Sequence, residues 1–336
     1  MNSPSPCSCH VPGADPARPW RRPYFTSLLA ILMSVAAFPL AAQEERSVVP
    51  VPKVLLVGID GVRPDVMRQV ATPNINALIR DGAFSDRAQT GLPTLSGPSW
   101  TSMLTGVWKE KHGVMSNDFP FPDAALNRYP DFLTRVERED PDLRTFAAAD
   151  WTPLLEPQED GEERGDPVLG SEIDARISLD GSKIGWAAAD EQAVEAAEAE
   201  LREHDPAALF VYLGNPDEVS HHTGSIEDEY RASIARADRH VGRLVRAIRA
   251  RPTYAAENWL ILVSTDHGRR PDGGHGGTSD EERTIFFIAS GPSARQGTIL
   301  TPPRIVDVAA TALAHLGLGS REEWGLDGEP VGLVEW

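Results

Sequence analysis

Residues 53–60 read KVLLVGID, an unbroken apolar run that ends in a glycine, an isoleucine and an aspartate. A run this short, with no polar alternation, predicts a strand buried on both faces, as in the middle of a parallel sheet. Two runs of the same kind follow, AALFVYLGN at 207–215 and NWLILVSTD at 258–266, and a fourth, TIFFIASG, at 284–291. Helical patterns lie between them. PNINALIRDG at 73–82 has Thr72 as its cap, Pro73 at its first position and Gly82 just past its end. AAADEQAVEAAEAELREH at 187–204 is rich in strong helix formers. The segment 227–251 places Tyr230, Ile234, Val241, Leu244, Val245 and Ile248 at helical spacing, and a last helix is predicted over 305–316. Strands alternating with helices predict an α/β fold with a central, mostly parallel sheet and helices on both faces.

The stretch 114–185 breaks this rhythm. Its prolines, scattered aromatics and the polar run PQEDGEERGD at 157–166 predict a loop-rich insertion of the kind that often covers an active site. The amino terminus has a different character. Arg21 and Arg22 precede YFTSLLAILMSVAAFPLAA, a short apolar core with small residues at its exit. That order predicts a signal peptide over 1–42, leaving 43–336 as a single domain in the periplasm or outside the cell, with no stable membrane anchor after cleavage. The only cysteines, Cys7 and Cys9, fall inside that leader, so no disulfide or thiol chemistry is expected in the remainder.

Composition narrows the function. The 336 residues carry a net charge of −18, and the first 42 hold three arginines against one aspartate, so the remainder is more acidic still. Such a body repels phosphate backbones at long range, which argues against nucleic-acid binding. A small anionic substrate remains compatible if local cations outweigh the global field, and metal ions are the obvious source.

The candidate ligands collect at the strand ends. Asp60 follows the first strand, Asp217 and His221 the second, Asp266 and His267 the third, and His275 comes in the glycine-flanked sequence GGHGG at 273–277. Ligand sites in open α/β sheets form at that edge. An aspartate at a strand end commonly only caps a turn, and a single loop histidine rarely ligates. Their joint occurrence at three strand ends is what points to metal. Mixed oxygen and nitrogen donors suit zinc, with manganese or iron as alternatives, and are too rich in nitrogen for calcium. Six ligands exceed the needs of one catalytic zinc and fit two divalent ions about 4 Å apart, as used in phosphoryl transfer. The segment GLPTLSGPSWTSMLTG at 91–106 offers hydroxyls at Thr94, Ser96 and Ser99.

Taken together, GIDGVRPD at 58–65, a hydroxyl-bearing segment closing in Thr-Gly, PDEVSHHTG at 216–224, STDHG at 264–268 and GGHGG at 273–277 resemble the alkaline phosphatase superfamily, and within it the type I phosphodiesterase/nucleotide pyrophosphatase branch. The likeness runs from Lys53 to Gly291 with long unmatched stretches between motifs. It implies an alkaline-phosphatase-like sheet and a split of the ligands into two sites. One site would take Asp60, Asp266, His267 and the oxygen of the nucleophile; the other would take Asp217, His221 and His275, with His222 a bystander. The family's spacing to Thr105 places the nucleophile at Ser96, with Thr94 as the alternative. It implies phosphoryl contact by Ser99, where the branch has asparagine. Apart from the resemblance, Trp100, Asn117, Asp118 and Trp151 are candidates for lining the substrate pocket, although aromatics more often serve packing.

The expected activity is that of a metal-dependent phosphoric ester hydrolase, with two divalent ions (zinc foremost) and a covalent phosphoserine intermediate. Its substrate would be a small-molecule phosphate ester, a diester or pyrophosphate, since no arginine stands near the nucleophile in sequence. A phosphomonoesterase or phosphonate hydrolase on the same metals is the alternative, and a non-catalytic binding protein of the same fold a further one. SGPSW also resembles the sulfatase signature, but Trp100 stands where that signature has arginine.

Overall fold

The structure, a computed structural model, describes residues 49–319 and 321–334; the stretch 1–42, predicted as a signal segment, lies outside them. Among the described residues there are ten strands: β1 Val51–Ile59, β2 Gly82–Gln89, β3 Thr145–Ala149, β4 Gln158–Asp160, β5 Glu163–Gly165, β6 Ala175–Ser178, β7 Ala208–Leu213, β8 Glu257–Ser264, β9 Thr284–Ser290 and β10 Gly297–Thr298. Eight of them build one sheet in the order β10-β2-β9-β8-β1-β7-β3-β6, and β4 with β5 forms a separate antiparallel hairpin. β1 lies between β7 and β8 and is parallel to both; β9 runs antiparallel to both its neighbours. The fold is therefore the mixed, mostly parallel α/β sheet that the apolar runs predict.

β1 explains why the sequence takes this form. Val54 and Leu56 face one core, and Leu55, Val57 and Ile59 face the other, all of them 0–1% exposed. The first core is closed by the helices Ser96–Thr105, Phe132–Glu139 and Asp307–His315. The second is closed by Pro73–Asp81, Trp186–Glu203 and Asp228–Arg249. A strand between two helix layers has no polar face, hence the unbroken run.

The stretch 114–185, loop-rich as it is, also supplies part of the sheet. That segment contributes β3, fully buried between β7 and β6, and β6 at the sheet edge. Both are short, and β3 consists largely of alanine, so neither carries the apolar signal of β1. The predicted cap of the Pro73–Asp81 helix also differs. Thr72 occupies the cap position but makes no side-chain cap bond. The cap comes from across the core: Asp238, on the long helix Asp228–Arg249, accepts from Ile75 N at 2.7 Å and Asn74 Nδ2 at 2.8 Å.

β7, β1 and β8 are adjacent and parallel, so their C-terminal ends share one edge of the sheet. Asp60 and Asp266 follow β1 and β8, and the helix Asn215–Thr223 starts just after β7. The topology thus gathers the three motifs before any side chain is considered.

Replacing Asp238 by alanine would strip the acceptor from a buried backbone N–H and from Asn74. Urea unfolding of Asp238→Ala is expected to show a loss of about 1.5–3 kcal/mol, the range for bonds to a charged acceptor.

Candidate metal centre and active site

Asp60 is 1% exposed at the end of β1. Its Oδ2 accepts from Trp100 Nε1 at 2.8 Å and from the Tyr212 hydroxyl at 2.5 Å. Gly58 makes this possible, because a Cβ there would collide with the Trp100 ring. Oδ1 of Asp60 is buried with no hydrogen-bond partner. Asp266, fully buried after β8, is arranged in the same way: Oδ1 accepts from Gly61 N at 3.1 Å, and Oδ2 has no partner. Both orphan oxygens face His267 Nε2, at 3.6 Å for Asp60 Oδ1 and 3.2 Å for Asp266 Oδ2. Ser96 Oγ reaches the same nitrogen at 3.2 Å. Burial, then the neighbouring Asp60, raises the Asp266 carboxyl well above the usual range. Two buried carboxylates with one unpartnered oxygen each are costly as they stand, and a cation is the group that would offset them.

The second group lies on the helix Asn215–Thr223 and the glycine-rich loop. Asp217 and His221 are one helical turn apart, which puts them on one face. His221 Nε2 is 3.1 Å from Asp217 Oδ2 and 2.9 Å from His275 Nε2, and His275 Nε2 is 3.8 Å from Asp217 Oδ1. Among the described residues, Asp60–Asp266–His267 and Asp217–His221–His275 are the two groups of Asp, Glu, His or Cys whose donor atoms come close enough to share an ion. They adjoin: the His267 and His275 rings stack at 3.8 Å and 16°.

Tautomers fit the same reading. His267 Nδ1 lies 2.9 Å from Gly268 O, and His275 Nδ1 lies 2.8 Å from Thr94 O. A carbonyl can only accept, so Nδ1 carries the proton and Nε2 presents its lone pair to the cluster. Burial depresses both imidazoles, His275 to about 2, which keeps them neutral donors. The donor sets of both clusters therefore fit divalent ions of the zinc type.

The hydroxyls of 91–106 part company. Ser96 opens its helix and stands at the first cluster. Thr94 is fully buried; its Oγ1 donates to Gly277 O at 3.0 Å and accepts from Gly276 N at 3.0 Å. It fastens the loop that carries His275 and has no hydroxyl to offer a substrate. Ser99 is bonded to Thr90 at 3.2 Å, on the wall of a cavity of about 510 Å³ that none of the six ligand candidates lines. Trp100 is 0% exposed, so it presents no surface to a substrate and instead fixes Asp60. The Ser99 hydroxyl is thus placed against Thr90, and the Trp100 indole against Asp60.

What stands beside Ser96 is Asn117. Its Oδ1 accepts from Gly97 N at 2.7 Å, and because Gly97 N can only donate, the amide Nδ2 is turned outward on an exposed side chain. The sequence offers Asn117 as a lining candidate but does not show this contact, since 20 residues separate the two partners. His112 is structural: Nδ1 accepts from Val114 N, Nε2 bonds Ser102, and burial lowers its pKa to about 3.

Two arginines also change the picture. Arg63 turns away from Asp60 to pair with Asp65 and to donate to Arg269 O at 3.1 Å. Arg269, which the sequence reading passed over, is fully buried and pairs with Asp217. An arginine does therefore stand in the site, behind the second cluster and without exposed surface. His222 lines a separate hollow with Trp186 and Glu218.

With this geometry in hand, comparison with known proteins is specific. The family description "Type I phosphodiesterase / nucleotide pyrophosphatase" matches residues 54–271. Human ectonucleotide pyrophosphatase/phosphodiesterase family member 7 is 25% identical over 250 residues, covering 72% of this chain and 52% of the relative. Human bis(5'-adenosyl)-triphosphatase ENPP4 is 24% identical over 245 residues, with 72% and 52% covered. The chain thus spans about half the length of the curated relatives it matches.

Among solved structures, murine ectonucleotide pyrophosphatase/phosphodiesterase 5 superposes with a TM-score of 0.60 at 15% identity, covering 80% of this chain and 96% of that one. The same murine protein has been solved as an inactive threonine-to-alanine variant in complex with AMP. A 2-O GAG sulfatase superposes with a TM-score of 0.65 at 14% identity, covering 83% and 73%. At these identities the solved structures show a shared fold, and the family match over residues 54–271 decides among its branches: the chain belongs to the type I phosphodiesterase/nucleotide pyrophosphatase family.

Proposed function

We propose that the chain is a metal-dependent phosphoric ester hydrolase of the phosphodiesterase type, with Ser96 as nucleophile and a phosphoserine ester as intermediate. One observation carries this reading: Ser96 Oγ stands 3.2 Å from the His267 nitrogen that the orphan oxygens of Asp60 and Asp266 also face. Asp60, Asp266 and His267 would hold one divalent ion, and Asp217, His221 and His275 a second, with zinc the best match to the donor mix. Bound there, the ions supply positive charge that lowers the pKa of the serine hydroxyl and neutralises phosphoryl oxygens.

The chain's own residues do the rest. Ser96 Oγ, its proton released to solvent, attacks phosphorus; the Oγ–P bond forms as the bond from phosphorus to the leaving oxygen breaks, and that oxygen takes up a proton from water. Asn117 Nδ2 donates to a non-bridging phosphoryl oxygen, aided by the N-terminal end of the Ser96 helix. Water then breaks the Oγ–P bond and restores Ser96. Trp100 and Tyr212 hold Asp60 in place, and Thr94 holds His275. Such outer partners orient ligands and raise their effectiveness.

The substrate is a small phosphate diester or pyrophosphate. The family supports this class, and the AMP complex of the murine relative favours esters of the nucleotide type. The basic, apolar and small-residue order of 1–42 supports export, with 43–336 acting as one catalytic domain.

On bis(p-nitrophenyl) phosphate, Ser96→Ala is expected to lose at least about a thousandfold in kcat/KM while retaining its zinc. Thr94→Val keeps the carbonyl that meets His275 and removes only the hydroxyl that ties Gly276 and Gly277, so it should lose no more than about tenfold; equal losses would move the nucleophile to Thr94. Trp100→Phe keeps the ring but removes the donor to Asp60, so zinc affinity measured by competition with a chelator should fall about 10–100-fold. Exhaustive chelation should abolish turnover and added zinc restore it; activity that survives metal removal would defeat the proposal.

A further inference from the structure

Arg269 is 0% exposed and lies where three segments meet. Its Nε donates to Gly61 O at 2.9 Å, in the turn after β1. Its Nη1 donates to Gly273 O at 2.8 Å, two residues before His275, and to Asp217 O at 3.3 Å. Its Nη2 pairs with Asp217 Oδ1, and the guanidinium sits 5.5 Å from the Tyr230 ring centre. Gly61, with φ +65°, is needed at this crossing, because a Cβ there would run into Arg269 and Asp217. The two clusters are therefore held quite differently. In the first, Asp60 and Asp266 take only neutral donors, namely an indole N–H, a phenol and a backbone N–H, and keep one bare oxygen each. In the second, the single carboxylate shares itself between His221, on Oδ2, and a buried guanidinium, on Oδ1.

We infer that Arg269 is a positioning residue that divides the labour of the two clusters: it fixes Asp217 as a one-oxygen ligand, weakens the second cluster's hold on its ion, and leaves that half of the site electropositive toward the phosphate anion. The inference rests on the two-ion reading above. Its physical basis is charge. A cation bonded to a ligating carboxylate withdraws basicity from it and repels the incoming ion, whereas the usual neutral or acidic outer partner does the reverse. The same positive charge favours a bound anion. An arginine suits this place because it stays charged when buried and its fork reaches several acceptors at once.

The test is zinc titration by calorimetry on the metal-free full chain, followed by inorganic phosphate titration of the zinc-saturated protein. Wild type is expected to take two ions of unequal affinity. Arg269→Met should leave the tighter ion unchanged, strengthen the weaker one by roughly tenfold or more, and weaken phosphate binding severalfold. Arg269→Lys, which keeps the charge but not the fork, should shift both zinc and phosphate in the same direction as Arg269→Met but by less. A purely structural role for Arg269 would weaken both zinc and phosphate in the Met variant. Circular dichroism checks folding, and Arg269→Gln, which keeps an amide donor for the carbonyls, takes the place of the Met variant if that one does not fold. Two ions in wild type with no strengthening in a folded neutral variant overturns this inference alone. Failure of wild type to take a second ion overturns the two-ion reading and this inference with it.

Discussion

Two buried oxygens, Asp60 Oδ1 and Asp266 Oδ2, point at one imidazole nitrogen with no donor between them. A folded chain does not ordinarily leave two carboxylates in this state, because each bare oxygen costs the desolvation that a hydrogen bond would have repaid. Everything around the pair works to hold it open. The indole of Trp100 and the phenol of Tyr212 occupy the other oxygen of Asp60, Gly61 N occupies the other oxygen of Asp266, and the Gly268 carbonyl fixes the tautomer of His267. The surrounding fold provides these donors and withholds them from the two inward oxygens. A divalent ion satisfies that arrangement, and the place of Ser96 at the same nitrogen ties it to chemistry.

The sheet explains how remote sequence positions reach that point. Asp60 and Asp266 follow adjacent parallel strands, and the helix that bears Asp217 and His221 begins after the strand on the other side of β1. Only His275 needs a long reach. A glycine-rich loop supplies it, pinned at Thr94 and at Glu282, which accepts from Gly277 N at 2.9 Å. Because Thr94 also precedes Ser96 by two residues, one short segment sets both the hydroxyl and a ligand of the second cluster.

Much of this was legible in the sequence. β1, β7, β8 and β9 announce themselves as apolar runs because both their faces are buried, and the ligand candidates stand out because charged residues at the ends of such runs need a reason. What was not legible depends on contacts distant along the chain. β3 and β6 are short and weakly apolar, so their place in the sheet shows only when β7 pairs with β3. Trp100 reads as a pocket aromatic until Gly58 lets it sink onto β1. Ser99 lies three residues from Ser96, yet its hydroxyl turns to Thr90, while Asn117 comes to the helix start from a separate loop. Arg269 looks like a surface arginine beside Arg270 until its burial against Asp217 is seen. Local periodicity reports burial well; it does not report which polar atom a distant side chain will meet.

The central claim is that the two clusters exist to hold ions beside Ser96. Anomalous diffraction at the zinc edge, from crystals of the full chain grown with zinc, tests it most directly. The account predicts two peaks, one enclosed by Asp60, Asp266 and His267 with Ser96 beside it, and one enclosed by Asp217, His221 and His275. No peak among these side chains, with the first cluster's carboxylates turned instead to protein donors or water, would contradict it.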